Sequence, residues 1–106
     1  MMHFQKHTAQ MTSKWGLSND VMARYADLVS EIGEIGKELV VSTNYGNKPL
    51  KINEKLAMEV GDTIFALALL ANALGLEMEE CFAKTMEKCE ERMAQKGQSA
   101  RSVVEK

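Results

Sequence analysis

A chain of 106 residues holds one domain, with room for a single core and a high ratio of surface to volume. Thirteen Lys and Arg against fifteen Asp and Glu give a net charge of −2, so no basic excess draws the molecule to nucleic acid. The polar opening Met1–His7 does not read as a signal peptide, and the longest apolar run, Thr63 to Ala71, is short of a membrane span. Cys81 and Cys89 stand eight apart without metal-ligand spacing and read as reduced thiols. The expectation is a soluble cytoplasmic protein that binds neither nucleic acid nor membrane. A hydrophobic content of 45% is generous for so small a monomer and predicts a homodimer or homotetramer.

Residues 2 to 13 read as a short helix with Phe4 and Met11 on one side. His3 and His7 have a spacing that can bind a metal, but no acid or cysteine lies nearby, and solvated side chains are the favoured reading. Trp15-Gly16-Leu17 breaks the pattern, and Ser18 or Asp20 can cap a second helix. Trp15 is either an anchor packing the first helix onto the core or one wall of a slot for a planar ligand.

From about 19 to 43 runs the longest helix. Val21, Tyr25, Leu28, Ile32, Ile35 and Leu39 form an apolar stripe, flanked by Arg24, Asp27, Glu31, Glu34 and Glu38. Acids stacked at i,i+3 and i,i+4 repel one another by a few tenths of a kcal/mol per pair. A cation would relieve them; a solvated flank is the alternative. Ser42 to Pro49 is rich in turn formers and reads as a helix–helix connection. Asn53 is a plausible N-cap for the next helix, and Gly75 ends it.

That helix carries Glu59-Val60-Gly61-Asp62 and then a run to Leu74 that is apolar on every side, which predicts burial on most sides. Glu59 and Asp62 lean along surface that should be packed. An uncompensated carboxylate there costs on the order of several kcal/mol. The phrase repeats one 28 positions upstream, Glu31-Ile32-Gly33-Glu34. In both, the acids share one face and the glycine falls on the other, where a second backbone can approach closely. Two antiparallel helices would then aim four carboxylates into one space.

From about 77 to 96 a last helix sets Met78, Phe82, Met86, Cys89 and Met93 on one stripe, expected to be a core face. Beside it Lys84, Lys88 and Arg92 form a cationic row that suits a polyphosphate if it borders the acids. Residues 97 to 106 are expected to fray. Four hard oxygen donors suit magnesium, which is commonly shared between carboxylates and substrate phosphates. The chemistry would be metal-assisted hydrolysis of a phosphoanhydride, with the cationic row stabilising departing pyrophosphate and Glu38 orienting the water or adding a ligand.

The pair Glu31-Ile-Gly-Glu34 and Glu59-Val-Gly-Asp62, with 24 residues between, resembles the ExxE…ExxD signature of the MazG-like nucleotide pyrophosphohydrolases, members of the all-α NTP pyrophosphatase superfamily. The likeness spans most of the chain. It implies an all-α bundle of four to five helices that assembles as a dimer or tetramer. It also implies Glu31, Glu34, Glu59 and Asp62 as ligands of magnesium, with manganese as a substitute. The reaction implied is cleavage of a nucleoside triphosphate between its α and β phosphates. Many relatives carry asparagine where this chain has Thr85, a departure among the nucleotide contacts. Phosphoribosyl-ATP pyrophosphohydrolase, or a non-catalytic helical interaction module, is the alternative.

Overall fold

The computed structural model describes residues 2–96, so the tail from 97 lies outside the described residues. Four helices succeed one another: α1 (His3–Trp15), α2 (Val21–Ser42), α3 (Glu54–Leu74) and α4 (Met78–Lys96). The chain is all-α, as its periodicity implies, and no strand occurs among the described residues.

Local chemistry sets each boundary. Gly16 ends α1 in the left-handed conformation at φ 65°, and its N–H donates to the Thr12 carbonyl. Asp20 caps α2 by accepting from the Ala23 N–H at 2.8 Å. After Ser42 the chain keeps turning: Asn44 and Tyr45 take positive φ, and the Tyr45 N–H reaches the Val40 carbonyl at 2.8 Å. Asn53 caps α3 through the Leu56 N–H at 2.8 Å. Gly75, at φ 72°, ends α3, and the Leu76 N–H closes onto the Ala71 carbonyl at 2.9 Å.

The central helix α3 packs along α2 and across α1. The α2–α3 pair is antiparallel, because Glu31 lies beside Asp62 while Glu38, later in α2, reaches back to Asn53 at the start of α3. Three of the five buried apolar residues are alanines, Ala66, Ala68 and Ala71, joined by Leu56 and Leu69.

Several expectations about faces are overturned. The buried side of α1 is Gln5, Thr8 and Thr12, not Phe4 and Met11. Two of these polar residues are satisfied locally: Thr8 Oγ1 donates to the Phe4 carbonyl and Thr12 Oγ1 to the Thr8 carbonyl, each at 2.9 Å. On α2 the less exposed side carries Asp27, Glu31 and Glu38 with Leu28 and Ile35, while Glu34 of the acidic stripe is exposed. Tyr25, Ile32 and Leu39 lie roughly 80° round the helix and are exposed. Nor is α3 covered on most sides, since Val60, Ile64, Leu67 and Leu74 are exposed. No residue of α4 is buried, so its apolar stripe is not a core face within one chain. A Cβ built on Gly33 or Gly61 meets nothing within 4 Å, so these glycines do not serve a close backbone approach in the single chain.

By length and composition alone α3 could cross a membrane, yet it carries Glu59 and Asp62, whose oxygens lie beside Glu31 of α2.

Asn53 holds two elements at once, since its Nδ2 also donates to Glu38 Oε2 at 3.4 Å. Asn53→Ala is therefore expected to cost more than Asp20→Ala, for which loss of the cap alone is worth about 1 kcal/mol. Urea unfolding of the two variants, read at equal m-values, makes the comparison.

Candidate metal centre

Three acids converge. Glu31 from α2 and Glu59 and Asp62 from α3 each offer a carboxylate oxygen, and these oxygens lie within 4.8 Å of one another. The i,i+3 spacing puts Glu59 and Asp62 on one face of α3, and the antiparallel partner supplies the third oxygen. Glu59 is buried, Glu31 half-buried and Asp62 exposed, so the cluster opens from the helix interface to solvent.

The cluster is short of positive charge. Among the described residues Glu59 has one cationic neighbour, Lys55, whose Nζ is 3.4 Å from Glu59 Oε2 while the rest of its side chain is largely exposed. Glu31 carries the electrostatic consequence. Loss of surrounding water, then the negative charges of Asp62, Asp27, Glu59 and Glu34, hold its carboxyl above the ordinary carboxylate range. A hard divalent cation fits this donor set, because three carboxylate oxygens from two rigid helices leave room for waters and for a phosphate.

Glu34, the fourth acid of the repeated phrase, is exposed and stands outside the three-oxygen group. It lines an adjoining cleft of about 160 Å³ with Lys37, Glu38, Val41, Lys55 and Glu59. Glu38 is buried there. Its Oε2 accepts from Ser42 Oγ at 2.7 Å and from Asn53 Nδ2 at 3.4 Å, which fixes the carboxylate at the junction of α2 with the start of α3.

The remaining candidates are not gathered here within one chain. Lys84, Lys88 and Arg92 are exposed on α4, which makes no extensive contact with α2. Trp15 is 59% exposed, so it does not anchor α1. It borders an apolar groove of about 500 Å³ with Phe4, Met11, Gly61, Ile64 and Phe65. Those α3 positions lie roughly 140° round the helix from Glu59 and Asp62. His7 lines that groove as well.

Two features escaped the sequence reading. Lys55 precedes Glu59 by one helical turn, a spacing visible in the sequence. The contact of Asn53 with Glu38 joins residues 15 apart across a loop and leaves no local signal.

Comparison with known proteins adds to this geometry. Residues 21–96, spanning α2 to α4, match the MazG nucleotide pyrophosphohydrolase domain. The uncharacterized protein YpjD of Bacillus subtilis strain 168 is 39% identical over 70 residues, 63% of this chain and 61% of that relative. The chain thus spans about three fifths of the length of the relative it matches. No solved structure matches.

Because the folded-state value of Glu31 is raised, its ionised form opposes folding at neutral pH, and that penalty is relieved as pH falls through the raised value. With divalent cations chelated, Glu31→Gln is expected to raise Tm at neutral pH by about 2 °C, the size of a few like-charge contacts. The gain should shrink as the solution is acidified through that range. A calorimetric pH series on both proteins measures it.

Proposed function

Because this chain belongs to the MazG nucleotide pyrophosphohydrolase family, we propose that it is a divalent-cation-dependent enzyme that hydrolyses a nucleoside or deoxynucleoside triphosphate to its monophosphate and pyrophosphate. The observation that carries this reading is the convergence of the Glu31, Glu59 and Asp62 oxygens from two packed helices.

In this proposal Glu31, Glu59 and Asp62, with Glu34 beside them, hold magnesium, or manganese in its place. When bound, the ion supplies a more acidic water and positive charge against the phosphates. The carboxylates orient the triphosphate by fixing where that charge lies. Glu38, held by Ser42 and Asn53 on the wall of the adjoining cleft, orients the attacking water. Water oxygen joins the α phosphorus as the bond from that phosphorus to the bridging oxygen breaks; the bridging oxygen leaves with pyrophosphate, and the proton lost by the water passes to solvent. Lys55 neutralises Glu59 in the absence of the ion and can turn to a phosphate in its presence, because its stem is exposed.

Lys84, Lys88, Arg92 and Trp15 are the proposed substrate contacts, the cations toward phosphates and the indole toward a base. Within one chain they stand apart from the acids, so these roles call for a second copy. The exposed apolar side chains of the described residues support that assembly. Tyr25, Ile32 and Leu39 on α2, and Ile64 and Leu67 on α3, are apolar surface that a second copy would cover. We assign the protein as a soluble, cytoplasmic homodimer or homotetramer that binds neither nucleic acid nor membrane.

A panel of NTPs and dNTPs with magnesium, assayed for pyrophosphate, tests the activity. Glu59→Gln is expected to lower turnover beyond the ~10–100-fold that loss of an outer-shell partner costs, with the helical circular dichroism intact. No pyrophosphate from any nucleotide, with no magnesium-dependent rise in Tm, would favour a helical interaction module. Sedimentation tests the assembly: Ile32→Lys should convert an oligomer into a monomer, and a wild-type monomer at all concentrations contradicts it.

A further inference from the structure

Gln5 is wholly buried in the first turn of α1, at 0% exposure. Its Nε2 donates to Asn72 Oδ1 at 2.9 Å and to the Leu76 carbonyl at 2.7 Å. Its Oε1 accepts from the Met78 N–H at 2.9 Å. Both amide hydrogens and the amide oxygen are therefore spent on the corner where α3 gives way to α4. Met78 is the first residue of α4, and its N–H has no acceptor within the helix. A side chain 73 positions away supplies one. Asn72 Nδ2 reaches back to the Gln5 carbonyl at 3.4 Å.

This amide adds to the closure at the end of α3, where the Leu76 N–H meets the Ala71 carbonyl at 2.9 Å, and no residue of α4 is buried. The apolar side chains around the corner, Phe4, Leu67, Leu70, Leu74, Cys81 and Phe82, border an open hollow of about 340 Å³. Hydrogen bonds are directional, and three part-buried ones meet on a single amide.

We propose that Gln5 is a positioning residue: its amide sets the angle at which α4 leaves the body, and thereby presents the exposed stripe of Phe82, Met86 and Met93 to a second copy of the chain. The inference rests on the homo-oligomer assigned above. The stripe follows helical spacing and is exposed at Phe82, Met93 and Met86, and no residue of α4 is buried in its own chain. Gln5 lies outside the residues matched by the MazG domain.

Gln5→Met fills much the same space with no N–H to donate, and Asn72→Ala is the control, since it disturbs the same buried cluster but spares the bonds from Gln5 to Leu76 and Met78. Sedimentation equilibrium over a concentration series gives the dissociation constant, and thermal unfolding at fixed concentration gives Tm. Gln5→Met is expected to weaken association at least about tenfold with the wild-type helical content. Asn72→Ala should lower Tm with little change in association. Should Gln5→Met not fold, Gln5→Glu replaces it, keeping an acceptor for the Met78 N–H and losing both donors, with weaker association again expected. Association equal to wild type in the folded Gln5 variant, or an equal loss in Asn72→Ala, overturns the positioning role alone. A wild-type chain that is monomeric throughout overturns both this inference and the oligomer beneath it.

Discussion

The packing of α2 against α3 forces negative charges together, and the rest of the molecule is arranged around that constraint. Glu31, Glu59 and Asp62 cannot separate without parting the two helices, because they stand on facing sides of α2 and α3, which pack along one another. Loss of surrounding water at this contact, and then the neighbouring negative charges, raise the Glu31 carboxyl above its ordinary value. Lys55 offsets only part of the charge, from a flexible and mostly exposed side chain. Such an arrangement is poor design for stability and good design for a cation. The Glu38–Ser42–Asn53 cluster extends the rigidity to the far end of the pair, tying the last turns of α2 to the cap of α3.

Much of the fold was legible because its boundaries depend on local chemistry. Gly16, Asp20, Asn53 and Gly75 stop or start helices through bonds to residues a few positions away, and a sequence displays such bonds directly. The two acid pairs were legible for the same reason, as repeats of an i,i+3 spacing. What stayed hidden is which side of each helix faces its neighbour. An apolar stripe on α2 suggests a core, yet the acidic side turns inward and leaves Ile32 outside. Hydrophobic pattern reports burial in the finished assembly and does not distinguish a chain's own core from an interface. The same ambiguity made the stripe on α4 read as core.

Long-range polar contacts were the second hidden class. Gln5 in a short amphipathic helix carries no mark of its three bonds to a corner more than sixty residues away. Asn53 shows its capping role but not its grip on Glu38. Both are residues whose side-chain amide donates and accepts together, which lets one group join two elements. Trp15 illustrates the reverse. The most conspicuous aromatic in the sequence borders an open groove on the side of α3 away from the acids, and it gains little burial from its own chain.

The stretch shared with other family members begins at residue 21, whereas the first amide of α4 is satisfied by a side chain at residue 5. The boundary drawn by kinship and the boundary drawn by mechanics therefore differ. Excising the shared portion would strip an acceptor from the start of its last helix and bare the seam where Thr8 and Thr12 now sit. A shortened version made to fit the common outline would be an incomplete object, however well its remaining letters align.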